Sequence, residues 1–189
     1  MSTENYEAIV LGGGSGGYAA GNFLQDAGIK VAVIDGADEL GGLCILRGCM
    51  PSKSIIESAK RYEAIKEAAE FGITVTGASI DIQKVMERKK TLIDDFKGYR
   101  QKQLTDGRFD LYRGNAEFTS PHSVVVKLND GSEKTLSAKA FIVATGSSVS
   151  VPNIPGLKET GYLTSRDVLE SSSIPKSITV LGGGAIALE

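Results

Sequence analysis

Tryptophan is absent from this 189-residue chain, histidine occurs once and cysteine twice. A structural zinc site takes about four Cys or His ligands. Two cysteines and the distant His122 do not supply them, nor do two cysteines build a disulfide scaffold. Neither sign of charge dominates: 21 Lys and Arg stand against 23 Asp and Glu, a formal net charge of −2. That balance leaves no electrostatic footprint for nucleic acid or for an anionic membrane surface. No apolar run approaches the roughly 18 residues that span a bilayer. Residues 1–7 are polar and acidic, so no secretion or transit signal is expected and a cytoplasmic location is. With 41% hydrophobic and 23% charged residues, the chain has the balance of an ordinary globular protein.

What it has in excess is glycine: 23 residues, about 12% against a usual value near 7%. None of it lies in a low-complexity tract, so it belongs to turns. Residues 6–11 form a short apolar strand that breaks into Gly12-Gly-Gly-Ser-Gly-Gly17, and a helix is expected over about 15–27 with Gly28 at its end. Residues 30–35 read as a buried strand, which completes a βαβ unit with parallel strands. Helices are expected over 51–71, with Ile55, Ile56, Ala59, Tyr62, Ile65 and Ala69 on one face, and over 80–104, with a stripe from Ile82 to Tyr99. Beyond residue 108 the period becomes strand-like. Residues 123–128 and 133–137 flank Asn129-Asp130-Gly131-Ser132, a hairpin signal, and 140–145 reads as a further buried strand. Pro152, Pro155 and Gly156 mark a domain crossing. The one internal repeat is Val10-Leu-Gly-Gly-Gly against Val180-Leu-Gly-Gly-Gly, a second strand-turn-helix opening. A strand that opens a unit needs a sheet to join, so the chain is expected to be the front part of a longer protein.

Gly12-x-Gly14-x-x-Gly17 follows a strand, opens a helix, and precedes by 23 residues an acid, Asp35, at the end of the next strand. Each part has a task. Gly12 permits the tight turn, Gly14 lets a pyrophosphate approach the backbone, and Gly17 lets helix and strand pack closely. The helix start then offers N–H groups and the positive dipole end to phosphate, and Asp35 accepts from ribose hydroxyls. The whole set points to dinucleotide binding, without choosing between FAD and NAD.

The two cysteines stand in Gly41-Gly-Leu-Cys44-Ile-Leu-Arg-Gly-Cys49-Met-Pro-Ser-Lys53. Residues five apart on a regular helix have Cα atoms about 8.6 Å apart, beyond the ~7 Å reach of a disulfide. A bridge therefore needs a break in the helix, which Gly48 favours. So short a loop adds little stability. A disulfide there is better read as redox-active than as structural, with two inert buried thiols as the alternative.

With these segments in view, the chain resembles the pyridine nucleotide–disulfide oxidoreductases, the flavoenzymes that include dihydrolipoyl dehydrogenase, glutathione reductase and mercuric reductase. The motifs follow in the family's order: the first glycine turn with Asp35, the cysteine segment through Pro51-Ser52-Lys53, and Gly114-Asn-Ala116-Glu-Phe118. Ala144-Thr145-Gly146, Ile154-Pro155-Gly156 and Gly182-Gly-Gly-Ala-Ile-Ala-Leu-Glu189 come after. The resemblance implies an α/β fold: a Rossmann-like FAD-binding domain over 1–150 with a parallel sheet and a β-meander, then the crossing and start of a Rossmann-like NAD(P) domain over 151–189. It implies FAD at Gly12, Gly14, Ser15 and Gly17, with Asp35 on the adenosine ribose. Gly41, Gly42, Ala116, Thr145 and Gly146 would line the same cofactor. Cys49 would face the flavin, Cys44 would exchange with substrate, and Lys53 would sit near the reactive nitrogen, paired with Glu189. NAD(P)H would bind at Gly182 and Gly184. Electrons would pass from it through FAD to the Cys44–Cys49 disulfide, and on to a small-molecule or protein-bound disulfide or a metal ion. A homodimer is also implied. His122 resembles a turn residue.

Two features depart from many family members: Leu46 and Arg47 replace Asn and Val between the cysteines, which removes a polar group and adds a cation that favours thiolate. Ala187 at the third small position of the second turn leans toward NADP. The competing expectation is a flavin-binding electron carrier or regulator whose cysteines are not turned over. These 189 residues are expected to bind nucleotide without turning over substrate.

Overall fold

The structure, a computed structural model, describes residues 3–189. It forms two compact units, Met1–Leu46 with Asp95–Ser148 and Arg47–Asp94 with Val149–Glu189.

The first unit is built on a six-stranded sheet. Strand β1 (Glu4–Leu11), helix α1 (Ser15–Asp26) and β2 (Val31–Ile34) form the expected βαβ unit, with β1 and β2 parallel. The remaining strands are β3 (Asp110–Tyr112), β4 (Gly114–Ser120), β5 (Ser123–Leu128) and β6 (Glu133–Val143). Their spatial order is β3-β2-β1-β6-β5-β4, parallel from β3 to β6 and antiparallel from β6 to β4. The expected parallel sheet and meander are thus one continuous sheet. β1 and β2 are apolar without alternation because both faces are covered. Ile9, Leu11, Ala32 and Ile34 pack into one cluster, and Ala8, Val10, Val31 and Val33 into another.

β6 corrects two expectations. The separate strands over 133–137 and 140–145 are a single strand ending at Val143, since Ala138-Lys139 carries no turn chemistry. Residues 133–137 pair with β5 and residues 136–143 with β1, on opposite edges of the strand. The later half is also less buried than expected: Ala140 is exposed and Val143 is 65% exposed. The Asn129–Ser132 hairpin forms as expected, with Gly131 at φ +87° and the Leu128 N–H donating to the Ser132 carbonyl at 2.8 Å. His122 lies in the β4–β5 turn, its carbonyl accepting from the Ala138 N–H at 3.0 Å.

α1 lies on the sheet through Gly17 and Gly21, while Phe23 is 75% exposed. A Cβ on Gly21 would stand 3.3 Å from Val33 Cγ2, so the small residue sets the helix-to-sheet distance.

Tyr6 of β1 and Tyr112 of β3 bring their hydroxyl oxygens to 2.6 Å of each other. Tyr6 donates to Asp110 at 2.8 Å and Tyr112 to Glu4 at 2.6 Å, and Lys134 pairs with Glu4 at 2.9 Å. Burial pushes the Tyr112 hydroxyl up to about 12. The Tyr112 hydrogen bond, then Lys134, holds the Glu4 carboxyl down at about 2. A depressed carboxyl contributes stability above its unfolded value, near 4.3, and loses it as pH falls toward its folded value. The Glu4→Gln variant is therefore expected to melt lower than the parent at pH 7 and to show a shallower loss of stability between about pH 4.5 and 2. Thermal unfolding followed against pH checks this; an unchanged acid limb would remove Glu4 from it. Because the Glu4 side chain is 40% exposed, solvent screening keeps the effect small.

The second unit contains helix α3 (Cys49–Glu67), a 3₁₀ turn (Ala68–Phe71), the first half of α4 (Ile82–Leu104), and the short helices α5 (Ser165–Glu170) and α6 (Ala185–Leu188). α2 (Gly42–Arg47) precedes α3. Glu57 and Arg61, one helical turn apart on α3, pair at 2.8 Å. The apolar stripe expected on α3 is not the buried one: Ala59, Ile65 and Ala69 are exposed, and Pro51, Ser54 and Ala68 are buried. α3 turns its Ser54 side to α4, where Arg88 donates to the Ser54 carbonyl at 3.2 Å and hydroxyl at 3.1 Å. On α4, Phe96 and Tyr99 of the expected stripe are exposed. Lys89 is buried instead, its ammonium donating to the Leu169 carbonyl at 2.6 Å and pairing with Glu170 at 3.1 Å. A buried cation needs such partners. Residues 177–181 have no ladder partner among the described residues and no strand is assigned there; the glycine turn and the start of α6 follow.

Candidate functional site

In the first unit the carboxyl ends of β1, β2 and β6 converge on the glycine turn. Gly12 takes φ +101°, and a Cβ there would lie 2.3 Å from the Ala144 carbonyl oxygen and 3.2 Å from Thr145 Cα. The segment Thr145-Gly146 thus lies against the turn, and Gly146 itself takes φ +75°. A Cβ on Gly17 would fall 1.7 Å from the Gly12 carbonyl oxygen. Gly42, at φ +74°, packs backbone to backbone on Gly14: its Cβ would stand 2.4 Å from Gly14 Cα. Only glycines permit this approach of two loops.

α1 begins at Ser15 behind an N-cap glycine, Gly14, with no side-chain capping hydrogen bond. Its first N–H groups, which lack intrahelical partners, are left for an outside acceptor, and Ser15 and Gly16 are exposed. Asp35 stands beside them. One carboxylate oxygen accepts from the Gly13 N–H at 2.7 Å and the other from the Ala37 N–H at 2.9 Å. An ionised carboxylate offers about four acceptor positions, so capacity remains for ribose hydroxyls. A pyrophosphate and an adenosine ribose fit this edge: open helix N–H groups, a backbone cradle that a Cβ would fill, and a fixed acid.

Arg113 is a residue that pattern reading missed. Its guanidinium donates to the carbonyls of Asp35 at 3.2 Å, Asp38 at 3.4 Å and Ala37, holding the loop that carries the acid. Gly114 donates to the Asp35 carbonyl at 3.2 Å, which draws the Gly114-Asn115-Ala116 segment to the same loop. The only sequence signal was a cation next to the Gly-x-Ala motif. Ala116 sits on β4 opposite Val126, half-buried.

Cys44 lies half-buried on α2 in the first unit, between Gly41-Gly42 and the end of that helix. Cys49 is exposed, the first residue of α3 in the second unit. The helix is interrupted between them. α2 ends at Arg47, and Gly48 takes φ −141° and ψ −114°, far from helical. One turn along α3, the Lys53 ammonium pairs with the Glu189 carboxylate. The Ser52 hydroxyl stands 2.5 Å from the same carboxylate oxygen. The Lys53 hydrogen bond, then that of Ser52, lowers the Glu189 carboxyl below the usual carboxylate range. Gly182, at φ +122°, and Gly184, the N-cap of α6, form the second glycine turn, which is exposed. No group of three or more His, Cys, Asp and Glu side chains suited to a metal occurs among the described residues. No described helix is long and apolar enough to cross a membrane.

A glycine turn with open helix N–H groups at the carboxyl ends of parallel strands is followed along the chain by two cysteines on either side of a helix break. Residues 6–189 match the family described as pyridine nucleotide-disulphide oxidoreductase, and the chain belongs to that family. It is 35% identical over 191 residues to the mitochondrial dihydrolipoyl dehydrogenase of Dictyostelium discoideum, covering 100% of itself and 39% of that protein. Against the mercuric reductase of Lysinibacillus sphaericus the identity is 32% over 190 residues, covering 100% and 34%. Among solved structures, the Cu(II) complex of the HOCl-induced flavoprotein disulfide reductase RclA from Escherichia coli matches with a TM-score of 0.79 at 26% identity, over 100% of this chain and 39% of that one. The chain thus spans about two-fifths or less of these relatives. The Rossmann-like assignment of the first unit agrees with the family and with this structural match.

Proposed function

We propose that the complete protein is an FAD-dependent NAD(P)H:disulfide oxidoreductase, of the dihydrolipoyl dehydrogenase or mercuric reductase type, working through Cys44 and Cys49. The observation that carries this reading is the interruption at Gly48. On one regular helix the two Cα atoms would stand beyond disulfide reach, and the break lifts that bar in a chain whose family membership is shown.

Gly12, Gly14, Ser15 and Gly17 would hold the FAD pyrophosphate, with Gly41 and Gly42 closing on the turn and Asp35 on the ribose. Ala116, Thr145 and Gly146 would line the adenosine side, and Gly182 and Gly184 the NAD(P) turn. When bound, FAD supplies the two-electron exchange between nicotinamide and sulfur. The chain's own sulfur chemistry balances as follows. Two electrons and two protons convert the Cys44–Cys49 disulfide to two thiols. Cys44, as thiolate, attacks one sulfur of the substrate disulfide, forming a mixed disulfide and expelling a thiolate that takes up a proton. Cys49 then attacks Cys44, restoring the internal disulfide and releasing the second thiol. Lys53, paired with Glu189, would sit near the flavin, one helical turn along α3 from Cys49. In a dihydrolipoyl dehydrogenase the net direction reverses; in a mercuric reductase the substrate is the metal ion. A homodimer belongs to the same proposal and rests on the resemblance.

The test is an anaerobic dithionite titration of the complete, FAD-loaded protein and of Cys49→Ser. A long-wavelength band at the two-electron stage is expected in the parent and absent in the variant. Direct bleaching of the flavin in both would make the cysteines bystanders and favour an electron carrier.

A further inference from the structure

The Ser52 hydroxyl has one proton and two acceptors within range, Glu189 Oε1 at 2.5 Å and the Cys49 carbonyl at 3.3 Å. The carboxylate is nearer and charged, and hydrogen bonds to charged acceptors are the stronger kind. The proton therefore goes to Glu189. Lys53 donates to the same carboxylate oxygen, so Oε1 sits in a fork made by two successive residues of α3. An ion pair as exposed as this one, with the Lys53 side chain at 64%, holds its geometry weakly by itself. A second donor on the rigid first turns of a helix supplies what the flexible lysine lacks. The next residue, Ser54, is buried and gripped by Arg88 through both its carbonyl and its hydroxyl, which fixes the rotation of α3.

We infer that Ser52 is a positioning residue of the reaction centre: it fixes the Glu189 carboxylate and, through it, the place of the Lys53 ammonium. This rests on the reading of Lys53 and Glu189 as reaction-centre residues. The serine acts through the carboxylate and does not itself exchange protons or electrons with substrate.

The experiment is a double-mutant cycle in the complete, FAD-loaded protein with Ser52→Ala, Ser52→Thr, Glu189→Ala and Ser52→Ala/Glu189→Ala. Two quantities are read: the single-turnover rate of flavin reduction by NAD(P)H, and the midpoint potential of the bound flavin without nicotinamide. Ser52→Ala is expected to slow reduction about tenfold, the effect of losing one hydrogen bond to a charged group, and to shift the potential. Ser52→Thr, whose hydroxyl can occupy the same place on a helix, stays within about twofold of the parent. In the Glu189→Ala background the serine substitution has no further effect on either quantity. An equal effect in both backgrounds would show a merely structural serine and overturn the inference. So would a threonine variant as slow as the alanine one, or an alanine variant indistinguishable from the parent. If the parent shows no long-wavelength band, the functional reading falls, and the coupling of Ser52 to Glu189 is still decided by the midpoint potentials.

Discussion

Replacing Gly17 by alanine is expected to leave the complete protein with less than about a tenth of its FAD and to lower its melting temperature by roughly 10 °C. The added Cβ would lie 1.7 Å from the Gly12 carbonyl oxygen and 2.9 Å from its carbon. Both are backbone atoms of the turn, so no side chain can swing aside. The helix must lift from the turn or the turn must open, and either movement removes the open N–H groups behind Gly14. Overpacking of an ordinary core costs about 1–3 kcal/mol. An overlap with backbone lies at or above the top of that range, and each kcal/mol moves the melting point by about 2–4 °C in a domain of this size. Gly16→Ala is the control. Nothing stands within 4 Å of its Cβ, and it is absent from the positive-φ glycines, so it should keep FAD. The flavin-to-protein absorbance ratio of the purified variants, with thermal melting, reads both. A Gly17→Ala protein with full FAD would mean that the turn is not the cofactor cradle.

The second large effect is expected at Cys44. Its replacement by serine should reduce NAD(P)H-dependent disulfide reduction by about a thousandfold or more, while FAD stays bound. Exchange requires a thiolate to attack the substrate and a second to resolve the mixed disulfide. A serine hydroxyl does neither near neutral pH. Cys49, left without its partner, cannot form the internal disulfide and remains a thiol at the start of α3. A Cys49 sulfur freed from the disulfide can donate charge to the oxidised flavin it would face, so long-wavelength flavin absorption is expected in Cys44→Ser before any reductant is added, the converse of Cys49→Ser. Steady-state turnover and the resting absorbance spectrum check this. Turnover within tenfold of the parent would take the exchange role from Cys44.

The features legible in the sequence are those whose causes are local. β1, α1 and β2 follow from six residues of glycine turn and the apolar runs beside it. The β5–β6 hairpin follows from Asn-Asp-Gly-Ser, since Gly131 supplies the positive φ that the turn needs. The helix break between the cysteines was legible at Gly48, because glycine is a poor helix former, and the residue takes φ −141° and ψ −114°. What escaped depends on residues far apart. The continuity of β6 is set by β1 and β5 flanking it on opposite edges, which no period within 133–145 encodes. The buried side of α3 is set by what Arg88 reaches, so a hydrophilic Ser54 lies inside and an apolar Ile65 outside. Arg113 collects carbonyls some 75 to 78 residues away, and a cation serving main-chain oxygens leaves no periodic trace.

The pairing of β1 with β6 bears on how the chain is made. Glu4 lies opposite Leu136, and Leu11 opposite Val143, so 132 residues separate the partners. At a synthesis rate of roughly 5–20 residues per second, β1 is made roughly 7–26 s before its neighbour on that side. Throughout this interval its edge carries unpaired N–H and C=O groups along an apolar strand, a template for pairing with other chains. The nascent protein thus has to keep one edge of β1 shielded until β6 arrives. β6 then closes that edge and, through its pairing with β5, joins the meander to the same sheet.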